Sequence, residues 1–93
     1  MIKVSYLLWL REVVGDSEDK VFINNDSTLL RDLLSMLTSR RPVLKKYIII
    51  DSEDNVVVSE HVIVLINNMP PKSMDDIVYD GDHILIIPQV SGG

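Results

Sequence analysis

The sequence predicts an α+β fold in which one helix covers one face of a mixed β-sheet. Apolar side chains alternate along residues 2–8, as they do in a strand with one buried face. Leucines then recur at helical spacing between residues 29 and 37, and a last apolar strand occupies residues 83–87. With 93 residues, the chain fits one compact domain with a single core.

The first two strands are expected to form a hairpin. Residues 21–23 read as a second short strand, and the turn formers Gly15, Asp16 and Ser17 lie between it and residues 2–8. Because the two strands are close in sequence, an antiparallel pairing is expected.

The main helix is predicted to begin at residues 26–28, whose side-chain oxygens can accept hydrogen bonds from free helix amides. It should end near Arg41, because Pro42 restricts the residue before it and cannot donate an amide. Residues 43–47 could add one further turn. The apolar positions that define the helix are Leu29, Leu30, Leu33, Leu34 and Leu37.

The second half of the chain reads as strands. Residues 47–50 and 56–58 flank a polar turn and are expected to form a surface hairpin, and residues 62–66 form a further apolar strand. The turn at residues 80–82 precedes the last strand.

If the last strand lies beside the first, the two run parallel and the intervening helix supplies the crossover. This arrangement is the β-grasp, the fold of ubiquitin. Residues 1–87 would form the β-grasp domain and residues 88–93 a flexible tail.

Composition and charge restrict the function classes. Hydrophobic residues make up 46% of the chain and charged residues 25%, which is ordinary for a globular protein. The chain has no cysteine, so it can form neither a disulfide nor a thiolate metal site. No apolar run is long enough to span a bilayer, and a cytoplasmic location without membrane contact is expected.

The net charge of −5 argues against nucleic acid as a partner. Residues 1–46 carry +2 and residues 47–93 carry −7, so the second half would suit a basic partner surface.

The tail is the main candidate for chemistry. After the last strand the sequence is Pro88-Gln89-Val90-Ser91-Gly92-Gly93. Two residues without Cβ atoms can enter a narrow channel and adopt torsions closed to other residues. A diglycine end alone is more often an ordinary frayed terminus, but here it follows directly from an apolar strand.

Two separated motifs resemble the MoaD/ThiS family of ubiquitin-like sulfur carriers. The first is Met1-Ile2-Lys3-Val4 with Leu10-Arg11-Glu12-Val13-Val14-Gly15, and the second is Asp80-Gly81-Asp82-His83-Ile84 running into residues 88–93. The resemblance covers nearly the whole chain and is strongest for MoaD, the small subunit of molybdopterin synthase. Relatives usually have two prolines where this chain has Pro88 and Gln89, and residues 48–58 are longer than in the shortest members.

The resemblance implies a function for the tail. An E1-like adenylyltransferase, similar to MoeB, would use ATP to adenylate the Gly93 carboxylate, and a sulfur donor would convert it to a thiocarboxylate. Pro88, Gln89, Val90, Ser91 and Gly92 would then carry it into the large subunit of molybdopterin synthase, similar to MoaE, in a heterotetramer. The carrier would bind no cofactor or metal and would not be catalytic alone.

Three alternatives remain at the level of sequence. The chain could be an archaeal ubiquitin-like modifier joined to lysines through Gly93, a thiamine sulfur carrier, or a β-grasp interaction module with an inert tail.

A partner surface is expected on the sheet face turned away from the helix. If Ile84 and Ile86 face the helix, Leu85 and Ile87 face the other way, where Leu7 and either Ile63 or Val64 could join them in an acid-rimmed patch.

For the remaining candidate residues, a structural role is favoured over a functional one. His61 and His83 lie on different predicted elements, so a metal pair is not expected. Asp80 and Asp82 are interpreted as turn formers, and Tyr6 and Trp9 as core residues.

Overall fold

The computed structural model describes residues 1–89. Its strands are β1 (Ile2–Tyr6), β2 (Glu18–Val21), β3 (Ser27–Leu29), β4 (Ile48–Ile50), β5 (Val56–Val58), β6 (Val62–Ile66), β7 (Ile77–Tyr79) and β8 (His83–Pro88). The helices are α1 (Leu10–Val14) and α2 (Leu30–Arg40), and a 3₁₀ helix spans Pro42–Lys46.

The main sheet has the strand order β2-β1-β8-β6. β1 pairs antiparallel with β2 and parallel with β8, so the first and last strands lie side by side at its centre. β6 pairs antiparallel with the other side of β8. The predicted β-grasp, including the parallel pairing of first and last strands, is confirmed.

The core lies between this sheet and α2. Alternate residues of the central strands are fully buried on the helix side, and four leucines of α2 are fully buried opposite them. The buried positions are Ile2, Val4, Tyr6, Ile84 and Ile86 on the strands and Leu30, Leu33, Leu34 and Leu37 on the helix. The alternation predicted for the first strand and the helical leucine spacing are thereby confirmed.

The start of α2 corrects the sequence prediction. Residues 27–29 form β3, which pairs with β7, and the helix begins at Leu30 with no side-chain hydrogen bond at its N-cap. The free amides of Leu30 and Arg31 donate instead to the backbone oxygens of Asp76 and Met74, each at 2.9 Å. The predicted end is correct, because Arg41 follows the last helical residue.

Other boundaries differ by a few residues. β1 ends at Tyr6 rather than at residue 8, and β2 precedes the predicted second strand, ending at Val21. The β4–β5 hairpin, β6 and the 80–82 turn lie where predicted, with Gly81 at φ +93°. No helix within residues 1–89 has the length and apolar character needed to cross a bilayer.

Candidate functional site

The candidate site is the end of the main sheet from which the chain leaves β8. Pro88 is buried and pairs with Val62 of β6, and the backbone N–H of Gln89 donates to His61 O at 2.7 Å. The structure therefore places in or beside the sheet two residues that the sequence assigned to the tail. Val90, Ser91, Gly92 and Gly93 lie outside the described residues.

Pro88 explains why the hydrogen bonding of β8 to β1 ends before its hydrogen bonding to β6. On the β1 side, the Leu7 N–H donates to Ile86 O at 3.1 Å, and the next donor in that parallel ladder would be residue 88. Proline has no N–H, so pairing with β1 stops there. On the β6 side the pairing continues through Gln89, which fixes where the chain leaves the sheet.

The second part of the site is an apolar patch on the sheet face opposite α2. Ile63 of β6 lies beside Ile87 of β8, and Leu65 lies beside Leu85. Leu7 follows β1 in the same alternation. We call these five residues the outer-face patch. All but Ile63 are half-buried, and Ile63 is 39% exposed, whereas Val64 is buried on the helix side. Of the two residues left open by the sequence, the structure selects Ile63.

Polar side chains border the outer-face patch on the β1–β2 side. Ser5 Oγ and His83 Nε2 share a hydrogen bond of 2.7 Å, and Lys3 Nζ lies 3.5 Å from Glu18 Oε2. The acidic rim expected from the sequence is therefore mixed in charge on this side. His83 takes part in this surface through Ser5, and across residues 1–89 no three side chains of metal-binding type are grouped together.

A hydrogen-bonded ion cluster fixes β1 and β2 to the end of α2. The buried Tyr6 hydroxyl donates to Asp19 Oδ2 at 2.6 Å. Arg41 donates to the same carboxylate through Nε at 3.0 Å and Nη2 at 2.8 Å, and Nη2 also donates to Asp16 at 2.7 Å. These contacts hold β1, the parallel neighbour of β8, in a fixed position relative to α2.

The cluster shifts the ionisation of its members. Hydrogen bonds from Arg41, together with that from Tyr6, hold the pKa of Asp19 below its usual range even though burial acts in the opposite direction. Burial, reinforced by the hydrogen bond to Asp19, raises the pKa of the Tyr6 hydroxyl. Tyr6 therefore stays neutral and Asp19 stays charged at neutral pH.

Sequence interpretation missed one feature of this end of the molecule. Trp9 was expected in the core, but its side chain is 43% exposed, next to Leu8 at 57%. The signal was present, since the run Leu7-Leu8-Trp9-Leu10 breaks the alternation of β1 and one face cannot bury all four residues. Tyr6 is buried as predicted.

With this geometry established, the match to a family model identifies the family of the chain. The model of the ThiS family matches residues 4–93. The chain belongs to the ThiS family, whose members are ubiquitin-like sulfur carriers and modifiers. The family resemblance predicted from the two terminal motifs is thus confirmed. No curated protein sequence matches the chain.

Solved structures similar to this ThiS-family chain agree with the fold. Small archaeal modifier protein 1 from Methanosarcina acetivorans is 26% identical, with a TM-score of 0.74 over 99% of this chain and 95% of the other. A putative molybdopterin converting factor subunit 1 from Pyrococcus furiosus is 23% identical, with a TM-score of 0.73 over 96% and 97%. A chain of the Amycolatopsis orientalis BexX/CysO complex is 20% identical, with a TM-score of 0.73 over both full chains.

Proposed function

We propose that this protein is a sulfur carrier whose working group is the Gly93 carboxylate, and that it acts as the small subunit of molybdopterin synthase. The observation that carries the proposal is the placement of β8. It is hydrogen-bonded on both sides and leads, within four residues of Gln89, to the diglycine of a ThiS-family chain. A rigid base followed by a side-chain-free end suits delivery of a reactive group into another protein.

The chemistry takes place in two steps at the Gly93 carboxyl group. In the first, a Gly93 carboxylate oxygen attacks the α-phosphate of ATP in an activating enzyme, and pyrophosphate leaves. In the second, a donor of sulfide attacks the carbonyl carbon, and AMP leaves with the electron pair of the broken C–O bond. The product is a thiocarboxylate, and no redox change is needed. ATP is used by the activating enzyme rather than bound by the carrier.

The outer-face patch is the proposed docking surface for the large synthase subunit. Leu7, Leu85 and Ile87 are half-buried in the isolated chain, and Ile63 exposes 39% of its surface. An apolar centre with a polar edge is the usual arrangement of a protein interface. The P. furiosus relative, named as a converting factor subunit, supports the choice of partner.

A second function is favoured by a specific observation. The chain is slightly more similar to the small archaeal modifier of M. acetivorans, at 26% identity, than to the P. furiosus subunit, at 23%. As a modifier, the activated Gly93 would form an isopeptide bond with lysines of target proteins. Intact mass spectrometry of the protein from its own host separates the two: replacement of one oxygen by sulfur indicates a carrier, and isopeptide-linked products indicate a modifier.

The first prediction concerns the tail. Deleting Gly93 moves the carboxylate back by about 3.3 Å, which near-attack geometry does not tolerate, so ATP-dependent adenylation should vanish. Gly92→Val should act similarly, because a branched side chain restricts the torsions and fills the channel. Thermal melting should be unchanged for both variants.

Ser91→Ala is the matched control on the same tail, and it should be adenylated like the wild type. The carrier mechanism is wrong if the Gly93 deletion melts normally and is still adenylated and sulfurated at the wild-type rate.

The second prediction concerns docking. Ile87→Asp places a charge in the centre of the outer-face patch and should weaken binding of the large subunit at least about tenfold while the domain stays folded. Val57→Asp, at a residue 55% exposed on the β4–β5 hairpin, is the control and should bind normally. Calorimetry of each variant with the large subunit measures the effect, and equal affinities for the two variants would exclude this face.

A further inference from the structure

An exposed apolar cluster lies at the same end of the sheet as the departing chain. Leu8 and Trp9 are 57% and 43% exposed, and the Trp9 ring lies 6.0 Å from the half-buried Tyr47 ring, centroid to centroid. We call Leu8, Trp9 and Tyr47 the exit cluster. It is distinct from the outer-face patch, which lies on the face of the sheet.

Hydrogen bonds place the exit cluster on both sides of the point where the chain leaves. Leu8 and Trp9 follow Leu7, whose N–H donates to Ile86 O of β8. Tyr47 O accepts from Ser59 N–H at 2.7 Å, and Ser59 lies two residues before His61, whose O accepts from Gln89 N–H. The exit cluster is therefore connected to β1 through Trp9 and to the residues before β6 through Tyr47.

The backbone at Leu8 adds an independent observation. Its φ is +53°, in the left-handed region that disfavours side chains with a Cβ. A leucine that is both strained and exposed stabilises neither the core nor the turn, since glycine would adopt this torsion more easily. Strain of this kind is concentrated at functional positions.

We propose that the exit cluster is the anchor by which the activating enzyme holds this protein while it adenylates Gly93, an inference that rests on the function proposed above. Only residues 90–93 separate Gln89 from the reacting carboxylate, a span of at most about 14 Å. An enzyme that encloses Gly93 therefore surrounds the tail close to Gln89, and the mouth of its channel meets Leu8 and Trp9.

The chemistry of the cluster specifies the partner's surface. The exposed groups are an indole ring and a leucine side chain, which call for an apolar pocket at the channel mouth rather than a charged one. Both the carrier and the modifier functions require the same activation, so the anchor serves either. The enzyme that adenylates Gly93 is accordingly the partner assigned to it.

The test measures adenylation as a function of the concentration of this protein. Trp9→Ser and Leu8→Gly should each raise its KM about tenfold and leave kcat nearly unchanged, because the anchor contacts the enzyme equally in the ground and transition states. Leu8→Gly should also melt at the wild-type temperature or above it, because glycine relieves the left-handed torsion. A purely structural role for Leu8 would not produce weaker binding together with undiminished stability.

Phe22→Ser provides a matched control. Phe22 is the most exposed large apolar residue of the described chain, at 76%, and it follows β2 at the opposite end of the sheet, where Val21 pairs with Ile2. Its KM should equal that of the wild type.

The outcomes separate the two proposals. Absence of adenylation in the wild type contradicts the proposed function. Normal adenylation of the wild type, with the KM of folded Trp9→Ser and Leu8→Gly within about twofold of it, contradicts the anchor alone. If Trp9→Ser fails to fold, Leu8→Gly decides the question. An equal rise in KM for Phe22→Ser also contradicts the anchor, since the effect would not be specific to the exit end.

Discussion

At the residue scale, Arg41 has a larger role than its place at the end of a helix suggests. Its guanidinium donates to two oxygens of the buried Asp19 and to Asp16, while Asp19 also accepts from Tyr6. An ammonium group cannot reproduce the hydrogen-bond geometry of a planar guanidinium that donates twice to a buried carboxylate. The cluster thus depends on arginine specifically.

The third prediction follows from this dependence. Arg41→Ala leaves the buried Asp19 with Tyr6 as its remaining side-chain partner and should lower the free energy of unfolding by about 2 to 3 kcal/mol. Arg41→Lys should recover only part of this loss. Asp16→Asn is the control, because Asp16 is 56% exposed and its ion pair should contribute less than about 1 kcal/mol. Urea denaturation at neutral pH measures all three.

The same cluster makes the stability of the wild-type protein depend on pH in the acid range. Because the native pKa of Asp19 lies below its unfolded value, its contribution is present above the ordinary carboxyl pKa of about 3.9 and is lost as the pH falls through the native pKa. Arg41→Ala should therefore show a shallower loss of stability on acidification. A mutant with the full neutral-pH stability and an unchanged acid slope would contradict this account.

Two aromatic residues show what the sequence could predict of the site. Tyr6 lies in the alternating pattern of β1, and its burial follows from that pattern. Trp9 lies beyond the end of β1, where the chain turns through the left-handed Leu8, so alternation no longer indicates which way a side chain points. The run Leu7-Leu8-Trp9-Leu10 indicates that one face cannot bury all four side chains, but which of them are exposed follows only from this turn.

At the scale of elements, α2 shows that a helix start can be satisfied from a distance. The sequence offered Asp26, Ser27 and Thr28 as local caps, but the first amides of α2 bond to the backbone of residues 74 and 76. Asp76 also shapes that loop, since its carboxylate accepts from the backbone amides of Lys72 at 2.8 Å and Ser73 at 3.2 Å. Such long-range capping leaves no local sequence signal.

The fourth prediction compares the two aspartates. Asp76→Ala should destabilise the domain by about 1 kcal/mol, because the loop that caps α2 loses the hydrogen bonds that shape it. Asp26→Ala should change stability by much less, since its side chain does not cap the helix. Chemical denaturation of both variants is the measurement. A larger loss for Asp26→Ala would restore the local cap predicted from the sequence.

Three short elements were not predicted from the sequence. α1 has five residues, and β3 and β7 have three each. Segments of this length hold too few positions to display a helical or alternating period. β4 and β5 are equally short, but they were predicted because their β-branched runs flank a polar turn. The conformation of the three unpredicted elements depends on tertiary neighbours, as when β3 and β7 pair across nearly fifty residues of chain. The longer α2 and the central strands display their periods and were predicted.

At the scale of the whole molecule, β8 holds the sheet together. It lies between β1 and β6, and its Ile84 and Ile86 are fully buried against α2. Without it, β6 has no partner in the main sheet and β1 has only β2. The sequence predicted this arrangement on the condition that the last apolar strand lies beside the first, and the parallel pairing of β1 with β8 meets that condition.

The fifth prediction is that a chain ending at Asp80 does not fold. The loss of β8 removes two core residues and both ladders of the central strand, far more than the margin by which a domain of this size is stable. Far-ultraviolet circular dichroism should show no cooperative thermal transition. A sharp transition in this truncated chain would show that β1 and β6 find another arrangement, and would contradict the importance assigned to β8.

The central position of β8 also has a mechanical consequence. A protein that takes hold of the tail pulls along the axis of β8, which is paired with four positions of β1 and five of β6. That force loads the hydrogen bonds of both ladders together in shear, whereas a force on an edge strand directed away from its neighbour would break them one by one. A partner protein that pulls on the tail can therefore do so without unfolding the domain, and the folded domain limits how far the chain enters the partner.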